Sequence, residues 1–252
     1  MSEFDRNIAA RRGFGADRAV SIDAGLRAYM IRVYNYMAAG VGLTGVVAWL
    51  TFNAAVTTTT NGGLALTSFG QAIYSGPVAI VLFLVTLGLV FFMSFRVDRL
   101  QPSTALALFM LYAGLLGLML SSVFLAYTGA SITRVFFISA ASFGALSLYG
   151  YTTQRSLSAM GSFLIMGLFG LIIAMLVNML LKSTGLDFVI SAAGVLIFAG
   201  LTAWDTQRIK EMYDVQDDGS VAGRKAVMGA LALYLDFINL FLFLLRFLGD
   251  RR

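Results

Sequence analysis

The chain contains no cysteine and no histidine. The first absence removes disulfides, thiol chemistry and thiolate metal sites. The second removes His-ligated haem and zinc and every His-based catalytic triad. It also removes the usual sensor of pH near neutrality, so any such response must come from carboxylates in unusual surroundings. Charge is scarce as well. Only 12% of the 252 residues are Asp, Glu, Lys or Arg, against about 25% in a soluble domain. Hydrophobic residues make up 59% of the chain, and its mean hydropathy is +0.83. That composition excludes one or two soluble domains. It describes an all-α membrane protein folded as one bundle.

The net charge of +5 reads as Arg and Lys placed beside anionic lipid. No basic stripe with interleaved aromatics lies on a soluble segment, so nucleic acid is not an expected partner. Residues 1–27 are polar, carry Arg6, Arg11, Arg12 and Arg18, and lack the apolar core of a cleavable leader. The first span is therefore expected to act as an uncleaved anchor.

About 20 apolar residues cross a bilayer as helix. Seven stretches qualify: Val33 to Phe52, Pro77 to Phe95, Ala105 to Tyr127, Val135 to Tyr151, Met160 to Leu181, Phe188 to Asp205 and Ala226 to Leu248. The fourth is Ser-rich and the shortest. The sixth could continue toward Tyr213. The expected organisation is a cytoplasmic amino-terminal tail over residues 1–27 and a seven-helix transmembrane domain over residues 28–252. Lys and Arg concentrate on the side of that tail: Arg6, Arg11, Arg12, Arg18, Arg27 and Arg32 precede span one, and Arg208, Lys210, Arg224 and Lys225 separate spans six and seven. The positive-inside rule then puts the amino terminus in the cytoplasm. Arg246, Arg251 and Arg252 fall outside in this scheme, which leaves open a last segment that dips in and returns. A full crossing is favoured. Small residues that let helices approach closely are expected at Gly40, Gly42, Gly45, Ala113, Gly117, Ala140, Gly144, Gly167 and Gly170.

Two acids stand out. Asp236 lies inside the last apolar run, where a carboxylate costs roughly 2.5–3.5 kcal/mol to insert. Asp205 ends the run before it. At 100° per residue, Gly229, Ala232, Asp236, Asn239, Phe243 and Arg246 share one face of span seven. Ser191, Gly194, Phe198, Thr202, Asp205 and Arg208 share one face of span six. Two carboxylates meeting away from water cannot both ionise cheaply, and they titrate as a unit. A shared proton would hold the helices together at low pH. Two charges at higher pH would repel and recruit a cation, and Asp oxygens suit calcium. Around the pair, Asp205 could instead bond Arg208 one turn on, Arg96 at the end of span two is a candidate counter-ion, and Arg246 is expected to snorkel to the far interface. The run Asp214 to Gly219 resembles the start of a calcium-binding EF-hand loop, but its twelfth position is Lys225 rather than Glu, so it reads as a charged turn.

The segments Leu233-Tyr234-Leu235-Asp236-Phe237-Ile238-Asn239-Leu240-Phe241 and Leu244-Leu245-Arg246-Phe247-Leu248-Gly249 resemble the closing signature of the Bax inhibitor family. Trp204-Asp205-Thr206-Gln207 resembles its acidic motif at the end of span six. Ile22 to Met30 and Arg32-Val33-Tyr34 are similar to the entry segment of its bacterial inner-membrane members. The resemblance implies seven helices with the last one central, wrapped by two layers of the others. It implies a pH-sensitive calcium leak controlled by a di-aspartyl pair, carried over to Asp205 and Asp236. It also implies an Arg of span two that latches the sixth-span Asp, for which Arg96 is the nearest match. Span two holds no acidic residue, so an additional carboxylate on the ion path is missing. Eukaryotic relatives suppress cell death, and bacterial ones are linked to membrane-protein quality control through a membrane-bound protease.

Three functions compete. The first is a proton-gated cation leak or exchanger, with no catalysis and no cofactor beyond a calcium ion. The second is an intramembrane aspartyl protease, which also places one Asp on each of two neighbouring spans. The Gly-x-Gly-Asp typical of that class is absent here. The third is a regulator that grips another membrane protein through Arg11-Arg12-Gly13-Phe14-Gly15.

Overall fold

The computed structural model describes residues 3–58 and 63–252, with residues 3–23 and Asp98 described by their backbone alone. Helix α1 spans Glu3–Ala55. Strands β1 (Val56–Thr58) and β2 (Leu64–Leu66) follow, then α2 (Ser68–Tyr74), α3 (Pro77–Arg96), α4 (Pro102–Leu120) and α5 (Val123–Ala126). The remainder is α6 (Gly129–Thr152), α7 (Ser158–Leu181), α8 (Thr184–Glu211) and α9 (Gly219–Leu248). Among the described residues, seven helical segments are long and apolar enough to cross a membrane: α1 from Ala24, α3, α4 with α5, α6, α7, α8 and α9. The chain is thus an all-α, multi-pass membrane protein. Lipid offers no partner to a backbone amide, and helix satisfies each one within its own segment.

The structure lengthens several expected spans, and the causes are local. The Ser-rich fourth span is not the shortest: α6 runs for 24 residues and α3 for 20. Thr128 caps α6 by accepting from the Ser131 amide. The Thr133 and Ser139 hydroxyls donate back to the carbonyls of Gly129 and Val135, so polar residues join the helix without baring a donor to lipid. Helix α8 does continue past Asp205, to Glu211. The loop after span one carries structure of its own. Strands β1 and β2 pair antiparallel, and α2 tucks its Gly70 against the Ala55 carbonyl. Residues 59–62, part of the Thr-rich run, lie outside the described residues. So do the side chains of Arg6, Arg11, Arg12 and Arg18 and of the proposed handle over residues 11–15.

The bundle has an inner and an outer layer. In the most apolar stretch of α9, 72% of residues are buried, against 6% in α7 and 11% in α3. Helices α8, α1, α6 and α4 pack directly on α9, while α7 leans on α8 and α3 leans on α4. The final helix is therefore central. It is also one unbroken helix of 30 residues, about 45 Å long at 1.5 Å per residue. That length is a full crossing and excludes a dip and return. Beyond it the chain is pinned: the Asp250 amide donates to Ser131 Oγ, the Thr128 amide to the Asp250 carbonyl, and Arg134 pairs with Asp250 at 2.9 Å.

Lipid tails are as apolar as Leu, so the hydrophobic effect does not hold these helices to one another. Close packing and hydrogen bonds do. Helix α6 comes close to α8 at Gly150, where a Cβ would lie 2.2 Å from the Ala203 carbonyl oxygen. Gly40 and Gly117 are contact glycines as expected, but Gly42, Gly45, Gly144 and Gly170 face open space. On α9, fully buried Tyr234 meets Phe109 and Tyr112 edge-on and shares a 2.6 Å hydrogen bond with Thr44 of α1. Removing that bond by Tyr234→Phe is expected to cost about 0.6 kcal/mol, with about 1.7 as the upper limit. A double-mutant cycle with Thr44→Val in detergent unfolding checks it, and full additivity of the two changes would refute the bond.

Candidate functional site

Two contacts fix how α8 lies against α9. Near the Glu211 end, Gly229 abuts Ile209. Further along, Phe198 stacks on Phe243 with ring centroids 5.7 Å apart, and Gly194 leaves room for the same Phe243 ring. Between those points the antiparallel helices bring Asp205 level with Asp236, seven residues from Phe198 and Phe243 respectively. The two carboxyl groups lie within hydrogen-bonding reach of each other. Asp236 is 5% exposed, and its Oδ2 is buried without a donor among the described residues.

The motif Trp204-Asp205-Thr206-Gln207 sends its four side chains four ways. Trp204 lies on Gly161 of α7, where no Cβ would fit. Asp205 faces α9. Thr206 donates to Thr202 O at 2.8 Å and reaches Ser147 of α6 at 3.3 Å. Gln207 clamps the α6–α7 turn, accepting from the Leu157 amide at 2.7 Å and donating to the Arg155 carbonyl at 2.9 Å. Consecutive positions step by 100° around a helix, so a four-residue run can fasten α8 to α6, α7 and α9 while fixing the direction of one carboxylate. The clamp by Gln207 was not foreseen; its signal was a lone amide beside an intramembrane acid.

Asp205 and Asp236 open onto a cleft of about 710 Å³ between α7, α8 and α9. The expected polar face of α9 lines it through Ala232, Asp236, Asn239, Phe243 and Arg246, and that of α8 through Phe198, Asp205 and Arg208. Asn239, which also lines the cleft, donates to the Leu235 carbonyl at 2.8 Å. Arg208 stands 3.9 Å from Asp205, its side chain 60% exposed, and rests over the Trp204 ring. Asp205 therefore meets both of its anticipated partners: it faces Asp236 closely and Arg208 loosely.

One arginine departs from expectation and another has a partner at the far end of α8. Arg96 is exposed at the end of α3, a helix that packs on α4, and it does not line the cleft. It is not brought to the pair, because α3 belongs to the outer layer on a different flank of α9. Arg246 does not snorkel alone. It bonds Asp187 in the first turn of α8, and Arg251 approaches the same carboxylate at 3.7 Å. Asp187 escaped the sequence reading because it stands at the edge of an apolar run, where acids are ordinary. The run Asp214 to Gly219 is a turn and a cap: Asp218 accepts from the Val221 amide at 2.7 Å, and Asp217 pairs with Lys225 at 2.6 Å.

Comparison with known sequences settles the lineage. A family model described as "Inhibitor of apoptosis-promoting Bax1" matches residues 26–252. The chain belongs to the Bax inhibitor family. It is similar to an uncharacterised protein of Rickettsia prowazekii, 50% identical over 92% of this chain and 93% of the relative. It is also similar to the inner membrane protein YbhL of Escherichia coli, 43% identical over 94% of this chain and 97% of the relative. An uncharacterised membrane protein of Streptococcus pyogenes is 36% identical over 90% of this chain. In this Bax inhibitor family chain, two of the segments that carried the resemblance, one on α8 around Asp205 and one on α9 around Asp236, line one cleft, with a carboxylate on each.

Proposed function

We propose that this protein is a proton-sensitive cation leak or exchanger of the bacterial inner membrane, with calcium as its cargo and with no catalytic activity. The observation that carries the reading is Asp236, a carboxylate buried in the middle of a membrane helix and turned toward a second carboxylate on the neighbouring helix. Such a group is expensive to bury and is functional by default. At low pH a proton lies between the two carboxyl groups, bridges α8 to α9 and closes the path along them. At higher pH two like charges face each other in poor solvent, and the helices part or a cation enters. Two carboxylates supply at most four oxygens, and calcium takes six to eight. Water must complete the shell, so binding is weak and the ion moves on.

An inner-membrane placement is supported by the Escherichia coli relative. A cytoplasmic amino terminus is supported by the Lys and Arg distribution. The test is calcium release from liposomes holding the protein and an entrapped calcium dye. Release is expected to rise from mildly acidic to mildly alkaline pH. A rate equal to empty liposomes at every pH would reject the leak. Cleavage of a membrane-embedded peptide, run in parallel and abolished by Asp236→Ala, would favour the protease instead. Retention of a membrane-bound protease that depends on residues 1–18, without ion release, would favour the regulator.

A further inference from the structure

The cleft has an unusual combination of walls. Helix α7 reaches the bundle through α8 and leaves a gap between itself and α9. Its lining there is aliphatic: Ile165, Leu168, Ile172 and Met175. Ile165 and Ile172 are 37% and 41% exposed at mid-helix, a depth at which the surroundings are hydrocarbon. The gap therefore opens sideways toward lipid. Asp236 lines it, and its Oδ2 is buried without a donor among the described residues. Two cations line the cleft, and neither is shown bonded to Asp236. Arg246 is held by Asp187, and Arg208 lies 3.9 Å from Asp205 with most of its side chain exposed.

We infer that this lateral cleft binds an amphipathic organic ammonium ion, a slender single-chain amine that enters from the bilayer with its tail along α7 and its head at the Asp205–Asp236 pair. Three features select that occupant. The volume lies within the usual range of small-molecule sites, about 300–1,000 Å³. The apolar wall gives a bare inorganic ion no reason to enter from the side, since leaving water is costly without compensating contacts, whereas an alkyl chain is already in hydrocarbon. The donorless oxygen asks for N–H groups, and a primary ammonium supplies three. A phospholipid suits the site less well: its headgroup amine would bring a phosphate beside two carboxylates, and like charges there repel. The inference uses the same carboxyl pair as the proposed leak but not its ion flux.

Trp204 lines the cleft, and the chain has two tryptophans. A Trp49→Phe background leaves Trp204 as a single reporter. The protein in phosphatidylcholine nanodiscs is titrated with dodecylammonium and, separately, with dodecanol, which has the same tail and no charge. Dodecylammonium is expected to shift Trp204 emission with saturation, and dodecanol is not. Asp236→Asn is expected to weaken half-saturation by about tenfold or more. Leu168→Phe narrows the cleft without touching a carboxyl group and is expected to weaken it as well, which covers the case of an Asp236 variant that fails to fold. Equal responses to the two amphiphiles, or half-saturation unchanged in both variants, would overturn the inference. Displacement of dodecylammonium by lysophosphatidylethanolamine would also overturn it, by assigning the cleft to a phospholipid. These outcomes are read from binding alone, so a failed calcium leak leaves them standing, and their failure leaves the leak standing.

Discussion

Asp236→Asn is expected to flatten the pH dependence of calcium release and to change its rate at alkaline pH by about tenfold, equivalent to about 1.4 kcal/mol. The substitution keeps the shape of the side chain and removes its ability to ionise. Asn can still hydrogen-bond Asp205, so α8 and α9 stay in register. What it cannot do is give up a proton when the pH rises. The sign follows from the charges. The wild-type pair goes from one shared proton at low pH to two facing negative charges at high pH, so release rises with pH. The variant goes from no charge to one charge, on Asp205, which Arg208 at 3.9 Å is placed to neutralise. Like-charge repulsion never develops. Asp205→Asn is expected to act in the same way, and the double variant no more strongly than either single one, because the pair works as a unit. Liposome flux measured across pH for all three variants checks this. A double variant whose effect equals the sum of the singles would separate the two acids and remove the latch.

Gly150→Leu is expected to prevent assembly of the folded bundle, and Gly150→Ala to cost about 1–3 kcal/mol. The reason is the neighbour. A Cβ at position 150 meets the carbonyl oxygen and carbon of Ala203 at 2.2 and 2.9 Å. Those are backbone atoms in mid-helix and have no rotamer to change. Either α6 moves away or α8 bends, and α8 carries Asp205 two residues further on. The smaller substitution should therefore disturb the pH response as well as stability. Gly144 supplies the control on the same helix. Nothing lies within 4 Å of its added Cβ, and Gly144→Ala is expected to shift stability by no more than about 0.5 kcal/mol. Thermal unfolding in detergent separates the two. Equal stabilities would mean that α6 and α8 are not in the contact described.

These two glycines also show what a sequence can and cannot disclose. Periodicity placed Gly144 among small residues suited to a helix interface, but a stripe does not say which helix, if any, comes to meet it. The partner of Gly150 is a backbone atom more than fifty positions away, and nothing local announces it. The aspartates were legible for the opposite reason. A carboxylate in an apolar run is costly wherever the neighbours lie, and a helical wheel suffices to turn it inward. The number of crossings was legible because hydrocarbon thickness fixes length. Helix ends were less so, since hydroxyls that bond one turn back, as at Thr133 and Ser139, hide their polarity from any hydropathy count. Arg96 misled because rank along the chain does not reveal layer in the bundle: α3 follows α1 in sequence, yet α4 stands between it and the centre. Asp187 was missed because its partner, Arg246, comes from the far end of the next helix.

The placement of α9 at the middle bears on how the protein is made. Ribosomal synthesis delivers it after the other six spans, so the four that pack on it enter the lipid before that axis exists. Until then Tyr112 lacks its Tyr234, Phe198 lacks its Phe243, and Asp205 has no acid to share a proton with. Pairs such as α1 with α4 and α6 with α8 can meet earlier, but the bundle closes only when α9 arrives, and a nascent chain stalled before Gly219 would hold six inserted helices without their axis.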